Sequence, residues 1–174
     1  MLRFPRRSGA NAPFVHPLAP PPRTAILVPH FHSTRLVRVF PEGWSAEVES
    51  FGPGAIAAPY DDLLRLAHSG VRISHAVIPL AWDPRQFLTP EQREALWQAF
   101  GAPIFEQYLG PNNILLASEC EAHHSLHVTS AYTGPVSRCK CPCGSNVRRL
   151  PPGWSGVGRH VRPLVPAYTM SATA

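Results

Sequence analysis

All four cysteines of the chain fall within residues 120–143, and three histidines stand among them. The segment runs Cys120-Glu-Ala-His123-His124-Ser-Leu-His127 and later Cys139-Lys-Cys141-Pro-Cys143-Gly144. Thiolate and imidazole are the ligands Zn²⁺ prefers, and four of them close a tetrahedral site. A cation held between two such loops would tie distant stretches of chain together, so this cluster constrains the fold more than any other feature. Disulfides are the competing use of an even number of cysteines. Cys139, Cys141 and Cys143 alternate along the chain, and an extended segment holds residues two apart near the outer limit for a bridge. The basic start Met-Leu-Arg-Phe-Pro-Arg-Arg is not followed by an apolar stretch of the kind a secretory signal needs, although its acid-free, Arg-rich composition also suits a transit peptide. A cytoplasmic chain with reduced, metal-binding or free thiols is therefore expected over a disulfide framework.

The 174 residues are 44% hydrophobic, enough for one core of ordinary size, while 21 prolines call for much irregular chain. No run of 18 apolar residues exists, so no membrane span is expected. The formal charge is +5, and its distribution matters more than its sum. Every Asp and Glu lies between Glu42 and Glu121, and both ends carry only basic residues. Such ends suit nucleic acid, anionic lipid or a phosphorylated ligand, with solubility alone as the plainer reading.

Three regions are expected. Residues 1–23, rich in proline and arginine, read as a disordered or loosely docked tail. Residues 24–150 read as a single α/β (or α+β) domain, and residues 151–174 as an irregular basic tail. Within the domain, Thr24–Pro29 has the short, continuous apolar run of a buried strand. Leu36–Phe40 and Ala46–Phe51 alternate like half-exposed strands, with Glu42-Gly43 as the turn between them. A helix is expected over Tyr60–His68, because Leu63, Leu66 and Ala67 share one face and Gly70 follows. The next strand falls within Val71–Pro79. Thr89-Pro90-Glu91-Gln92 sets a capping threonine, a first-turn proline and a capping-box glutamine in register, and Gly101 suits the other end of that helix. Strands are expected again at Pro103–Tyr108 and from Ile114, separated by a turn at Gly110–Asn113. The order predicts a small mixed sheet with two main helices on one face and a loop-rich, zinc-stabilised C-terminal part.

Residues 60 to about 150 resemble the central region of phenylacetate–CoA ligase-like enzymes, a branch of the adenylate-forming ligases. The resemblance rests on Leu88-Thr-Pro-Glu-Gln-Arg-Glu-Ala-Leu-Trp-Gln-Ala-Phe-Gly101, Ala102-Pro-Ile-Phe-Glu-Gln-Tyr108, Ala117-Ser-Glu-Cys-Glu-Ala-His123 and Leu126-His-Val128. It implies a capped helix, a strand leading to a nucleotide-binding turn, then a Glu-Cys segment and a Cys-x-Cys-Gly element at which zinc is held. The family turn reads Tyr-Gly-x-Thr-Glu; here Tyr108-Leu-Gly-Pro-Asn-Asn113 lacks both the threonine and the carboxylate. No Ser/Thr/Gly-rich phosphate loop with a lysine is present, and Lys140, the only lysine, sits inside the cysteine cluster. The resemblance therefore implies a truncated relative that keeps the middle of the enzyme without independent use of ATP or CoA.

The expected metal ligands are Cys120, His127, Cys141 and Cys143, with Cys139, His123 or His124 as substitutes. Four protein ligands leave no open position, which makes the role structural; free cysteines and solvated histidines are the alternative. No catalytic residue is assigned, although Cys120 with His123 or His124 and Glu121 has the residue types of thiol catalysis. His30 and His32 read as exposed loop histidines, and Arg148-Arg149 as solvated. The expected function is that of a non-catalytic zinc-binding protein that binds a partner protein or a residual ligand. The alternatives are one component of a split carboxylate-activating ligase, completed by a complementary fragment, and a basic zinc-containing nucleic-acid-binding module.

Overall fold

The computed structural model describes residues 11–150 apart from 124, 139 and 147. Seven strands form one sheet: β1 (Thr24–Ile26), β2 (Val37–Val39), β3 (Ala55–Ala58), β4 (Ala76–Ala81), β5 (Gln107–Leu109), β6 (Leu115–Glu119) and β7 (Leu126–Val128). Their order across the sheet is β2-β1-β3-β4-β5-β6-β7. The first five in that order run parallel, while β6 and β7 are added antiparallel as a hairpin. Parallel strands buried on both faces read as unbroken apolar runs, and β4, Ala-Val-Ile-Pro-Leu-Ala, is buried along its whole length. Pro79 cannot donate to a ladder. It falls where β4 ends its pairing with β3, at Ala58, and takes up β5 from Leu80 onward.

Three helices, α1 (Ala46–Phe51), α2 (Tyr60–His68) and α3 (Pro90–Phe100), cover one face. Val48, Phe51, Leu63, Leu66, Leu96 and Phe100 pack there against Ala25, Ile56 and Val77. The mixed α/β sheet with helices on one face is thus as expected, with one helix more. Both main helices have the expected bounds. Thr89 accepts the Gln92 N–H at 3.3 Å while the Gln92 side chain accepts the Thr89 N–H at 2.9 Å, which completes the capping box at the start of α3.

The third helix replaces an expected strand. Ala46–Phe51 is α1, not a half-exposed strand. Its two buried residues, Val48 and Phe51, are three apart, a helical spacing that overrides the apparent alternation with Glu47 and Glu49. Those glutamates fall in the first turn, where they complement the helix dipole. Gly52 closes the helix at φ 62°, a left-handed conformation that costs other residues energy. Sequence reasoning left out the edge strand β7 and, at the centre of the sheet, β3. Its Ala-Ile-Ala-Ala lies at the centre of the parallel ladder, with all four residues buried.

Among the described residues the opposite face is covered by irregular chain rather than by helices. Ala12, Phe14, Leu18 and Phe31 pack on Ile26, Ala55, Ala57 and Ile78. Ala12 bridges Phe31 through backbone hydrogen bonds, and the Gln107 side chain donates to the Val15 carbonyl at 2.8 Å. The described part of the expected tail over residues 1–23 is therefore docked as a layer of the domain rather than disordered, because the sheet would otherwise leave its second apolar face open to water. The tail expected over residues 151–174 lies outside the described residues. Among the described residues no helix is long and apolar enough to cross a membrane.

Candidate metal centre

The antiparallel end of the sheet builds the site. Ser118 on β6 pairs with His127 on β7. Side chains alternate along a strand, so Cys120, two residues past Ser118, leaves the sheet on the same face as His127. A turn follows at Glu121 and Ala122, closed by the His123 N–H donating to the Cys120 carbonyl at 2.9 Å. The second half of the site is the Cys141–Ser145 hook. The Gly144 N–H donates to the Cys141 carbonyl at 2.9 Å, and Gly144 adopts φ 81° to let the chain fold back. After the hook the chain returns alongside β7: Arg149 bridges both His127 and Ser137, and the Leu150 N–H donates to the Leu126 carbonyl at 3.1 Å. Ala81, Phe87, Ala117, Leu126, Tyr132 and Leu150 form the apolar floor beneath.

This geometry brings together the four expected ligands. The ligand atoms of Cys120, His127, Cys141 and Cys143 all lie within 4.8 Å of one another. The Cys120 and Cys141 sulfurs are 3.6 Å apart, and Cys143 Sγ is 4.0 Å from His127 Nε2. A disulfide would need about 2.05 Å. A tetrahedral cation with Zn–S bonds of about 2.3 Å sets its sulfurs roughly 3.8 Å apart. The spacing is therefore that of ligands around a common centre, and the cluster can hold a metal ion such as zinc.

The electrostatics fit the same use. Burial, the main cause, pushes the Cys120 thiol up to about 12; the neighbouring Cys141 and Cys143 sulfurs add to the rise and the Ala122 N–H opposes it. Three sulfurs that close cannot share thiolate charge without a cation among them. Exposed Cys143 is shifted the other way, chiefly because the Ser145 N–H stabilises its thiolate. His127 is lowered by burial and secondarily by the charge of Arg149, which favours the neutral imidazole that binds metals.

Of the expected substitutes, Cys139 and His124 lie outside the described residues. His123 is turned elsewhere: its Nδ1 is 3.6 Å from Glu119 Oε1 and its ring packs on Phe105 with centroids 4.8 Å apart. His30 and His32 are both exposed, on either side of buried Phe31, and belong to no metal-binding group among the described residues. The expectation for Arg148-Arg149 is half corrected. Arg148 is exposed, but Arg149 is buried, only 2% exposed, because it is paired on both sides by β7 and Ser137.

Two further features escaped sequence reasoning. Glu106, directly before β5, and Glu119, the last residue of β6, are both buried acids. Glu119 accepts from Arg93 of α3 at 2.9 Å and from the Glu106 N–H at 3.0 Å. Glu106 accepts the Leu88 N–H at 2.7 Å and has its other oxygen 3.7 Å from Arg93. This network fastens α3 to the strand that ends at Cys120. A charged residue inside the apolar run Ile104-Phe-Glu-Gln-Tyr108 was the available signal, since a buried charge needs a partner. The second feature is the tether that Asn113 makes within the expected Gly110–Asn113 turn. Asn113 adopts a left-handed backbone, donates to the Pro29 carbonyl at 3.0 Å and accepts from Trp82 Nε1 at 2.9 Å. The turn thus ties the loops after β1, β4 and β5 together through an amide.

No protein-family model matches the chain, and no curated protein matches it.

Proposed function

We propose that the Cys120–His127–Cys141–Cys143 cluster holds a structural zinc ion in a reducing, cytoplasmic setting, and that the chain is a non-catalytic binding protein related to the middle of phenylacetate–CoA ligase-like enzymes. The observation that carries the zinc reading is the convergence of three sulfurs and one imidazole nitrogen within 4.8 Å from segments as far apart as β7 and the 141–145 hook. Four protein ligands leave no position for substrate or activated water, which supports a structural role over a catalytic one. Binding of zinc by such a set can contribute roughly 10–16 kcal/mol, enough to hold a loop-rich segment that has only a small apolar floor of its own. The relationship to the ligases is supported by the motif resemblance and by the capped helix α3 leading into β5. Independent adenylation is argued against by the Tyr108–Asn113 turn, which offers neither the threonine hydroxyl nor a carboxylate for nucleotide and Mg²⁺, and whose Asn113 amide is engaged as a tether. Catalysis of that kind needs positioned charge on the transferring group. The partner is then a second protein or a residual acyl or nucleotide ligand.

Metal analysis of protein purified without added metal tests the first part. One zinc per chain is expected, and a content well below about half an ion overturns it. ATP–pyrophosphate exchange with aryl and fatty acids tests the second part; exchange by the isolated chain refutes the non-catalytic reading.

A further inference from the structure

We infer that Arg149 is the counter-charge of the metal centre and that it selects a doubly charged cation held by three thiolates. The inference rests on the zinc reading above and concerns the charge state that the site accepts. Three thiolates, one neutral imidazole and a dication sum to a single negative charge. A net charge in a partly buried cluster is costly unless an opposite charge lies beside it. Arg149 meets that need from a position fixed by the fold. It is only 2% exposed, and its backbone bridges His127 in an antiparallel pair, so the two side chains leave the ladder on the same face.

Its side chain also spans both halves of the site. One guanidinium nitrogen donates to Ser125 Oγ at 3.1 Å, two residues before His127, and another donates to the Lys140 carbonyl at 2.9 Å, next to Cys141. Burying an arginine here would weaken a merely apolar corner of the domain. Beside a centre of charge −1 it does the opposite, because the two buried charges neutralise each other. The pairing also sets a preference. Replacing one thiolate by a neutral ligand would leave the guanidinium facing an uncharged centre, so the site favours the full three-sulfur set on a dication. Supporting groups around a metal typically change affinity by roughly 10–100-fold.

A double-mutant cycle separates charge from scaffolding. Zinc affinity is measured by chelator competition in the full chain, in Arg149→Met, in Cys143→His and in the double variant. Cys143 is the exposed ligand, and histidine there keeps four ligands while making the centre neutral. Arg149→Met is expected to weaken zinc binding roughly 10–100-fold in the natural background and by less than about threefold beside Cys143→His, where no net charge remains to be matched. Equal losses in the two backgrounds would mean that Arg149 only holds the loops, and the inference fails while the zinc reading stands. Arg149→Lys carries the same test where the methionine variant does not fold. It keeps the charge and is expected to retain most of the affinity, and a loss of roughly 10–100-fold despite the retained charge refutes the charge role. A natural chain that binds no zinc overturns both readings at once.

Discussion

Glu106 gives the sharpest test of how the domain's polar core is built. Its carboxyl is pushed up from 4.5 to about 7, first by burial and further by the charge of Glu119, against the Leu88 N–H and Arg93, which favour the ionised form. Arg93 lies closer to Glu119 than to Glu106, at 2.9 Å against 3.7 Å, so one guanidinium serves two acids unequally. Because the folded-state value is raised, the native protein binds more protons than the unfolded chain between about 4.5 and 7. Stability from this group is complete at the acid end of that window and falls as the pH climbs to 7, above which the loss is constant. A shift of that size corresponds to about 3 kcal/mol at most. Glu106→Gln keeps an acceptor for the Leu88 N–H and removes the titration. The variant should match the natural protein near pH 5 and exceed it by up to about 3 kcal/mol at pH 8. Urea unfolding of both proteins across pH 5–8.5 reads this difference directly. Both carry the same metal cluster, so its own pH dependence cancels in the comparison. A difference that does not change with pH, or one that grows toward acid, refutes the argument.

Three other substitutions probe the site and the scaffold. Cys141→Ser should abolish most zinc binding while His123→Ala leaves it intact, because His123 faces Glu119 and Phe105 rather than the sulfurs; metal analysis of the two purified variants decides, and retained zinc in Cys141→Ser or lost zinc in His123→Ala contradicts the ligand set. Thr89→Ala removes the side-chain acceptor for the Gln92 N–H at the start of α3 and should cost about 1 kcal/mol in equilibrium unfolding; no measurable loss would mean that the capping box contributes little in solution.

What the sequence disclosed divides along the range of the interactions involved. The α3 helix was legible because its signals are local: a capping threonine, a proline in the first turn and a glutamine three residues on, each acting within one turn. The convergence of the Cys/His cluster was legible for a related reason. Few residue types bind zinc, and Cys120, His127 and the Cys-x-Cys-Gly hook set four of them within one short stretch of chain. Errors appeared where two local readings compete. Ala46–Phe51 fits a two-residue and a three-residue period almost equally over six positions, and only the depth of Phe51 against Phe40 and Arg38 decides for the helix. Ala55–Ala58 gave little strand signal because alanine is depleted in strands, yet its small side chains suit a central strand covered by α2 on one side and the Phe31 layer on the other. Arg149 was beyond sequence reasoning altogether. Read along the chain it is one of two adjacent arginines after a loop. It is buried because residues 148–150 return to β7, and that return depends on the hook that Cys141 and Cys143 form. If a cation closes the hook, its ligands set the position of the arginine, and the arginine in turn balances the charge those ligands create. Such mutual dependence has no signature at any fixed spacing, and for that reason the charge of the centre can be argued from the folded chain and not from the sequence.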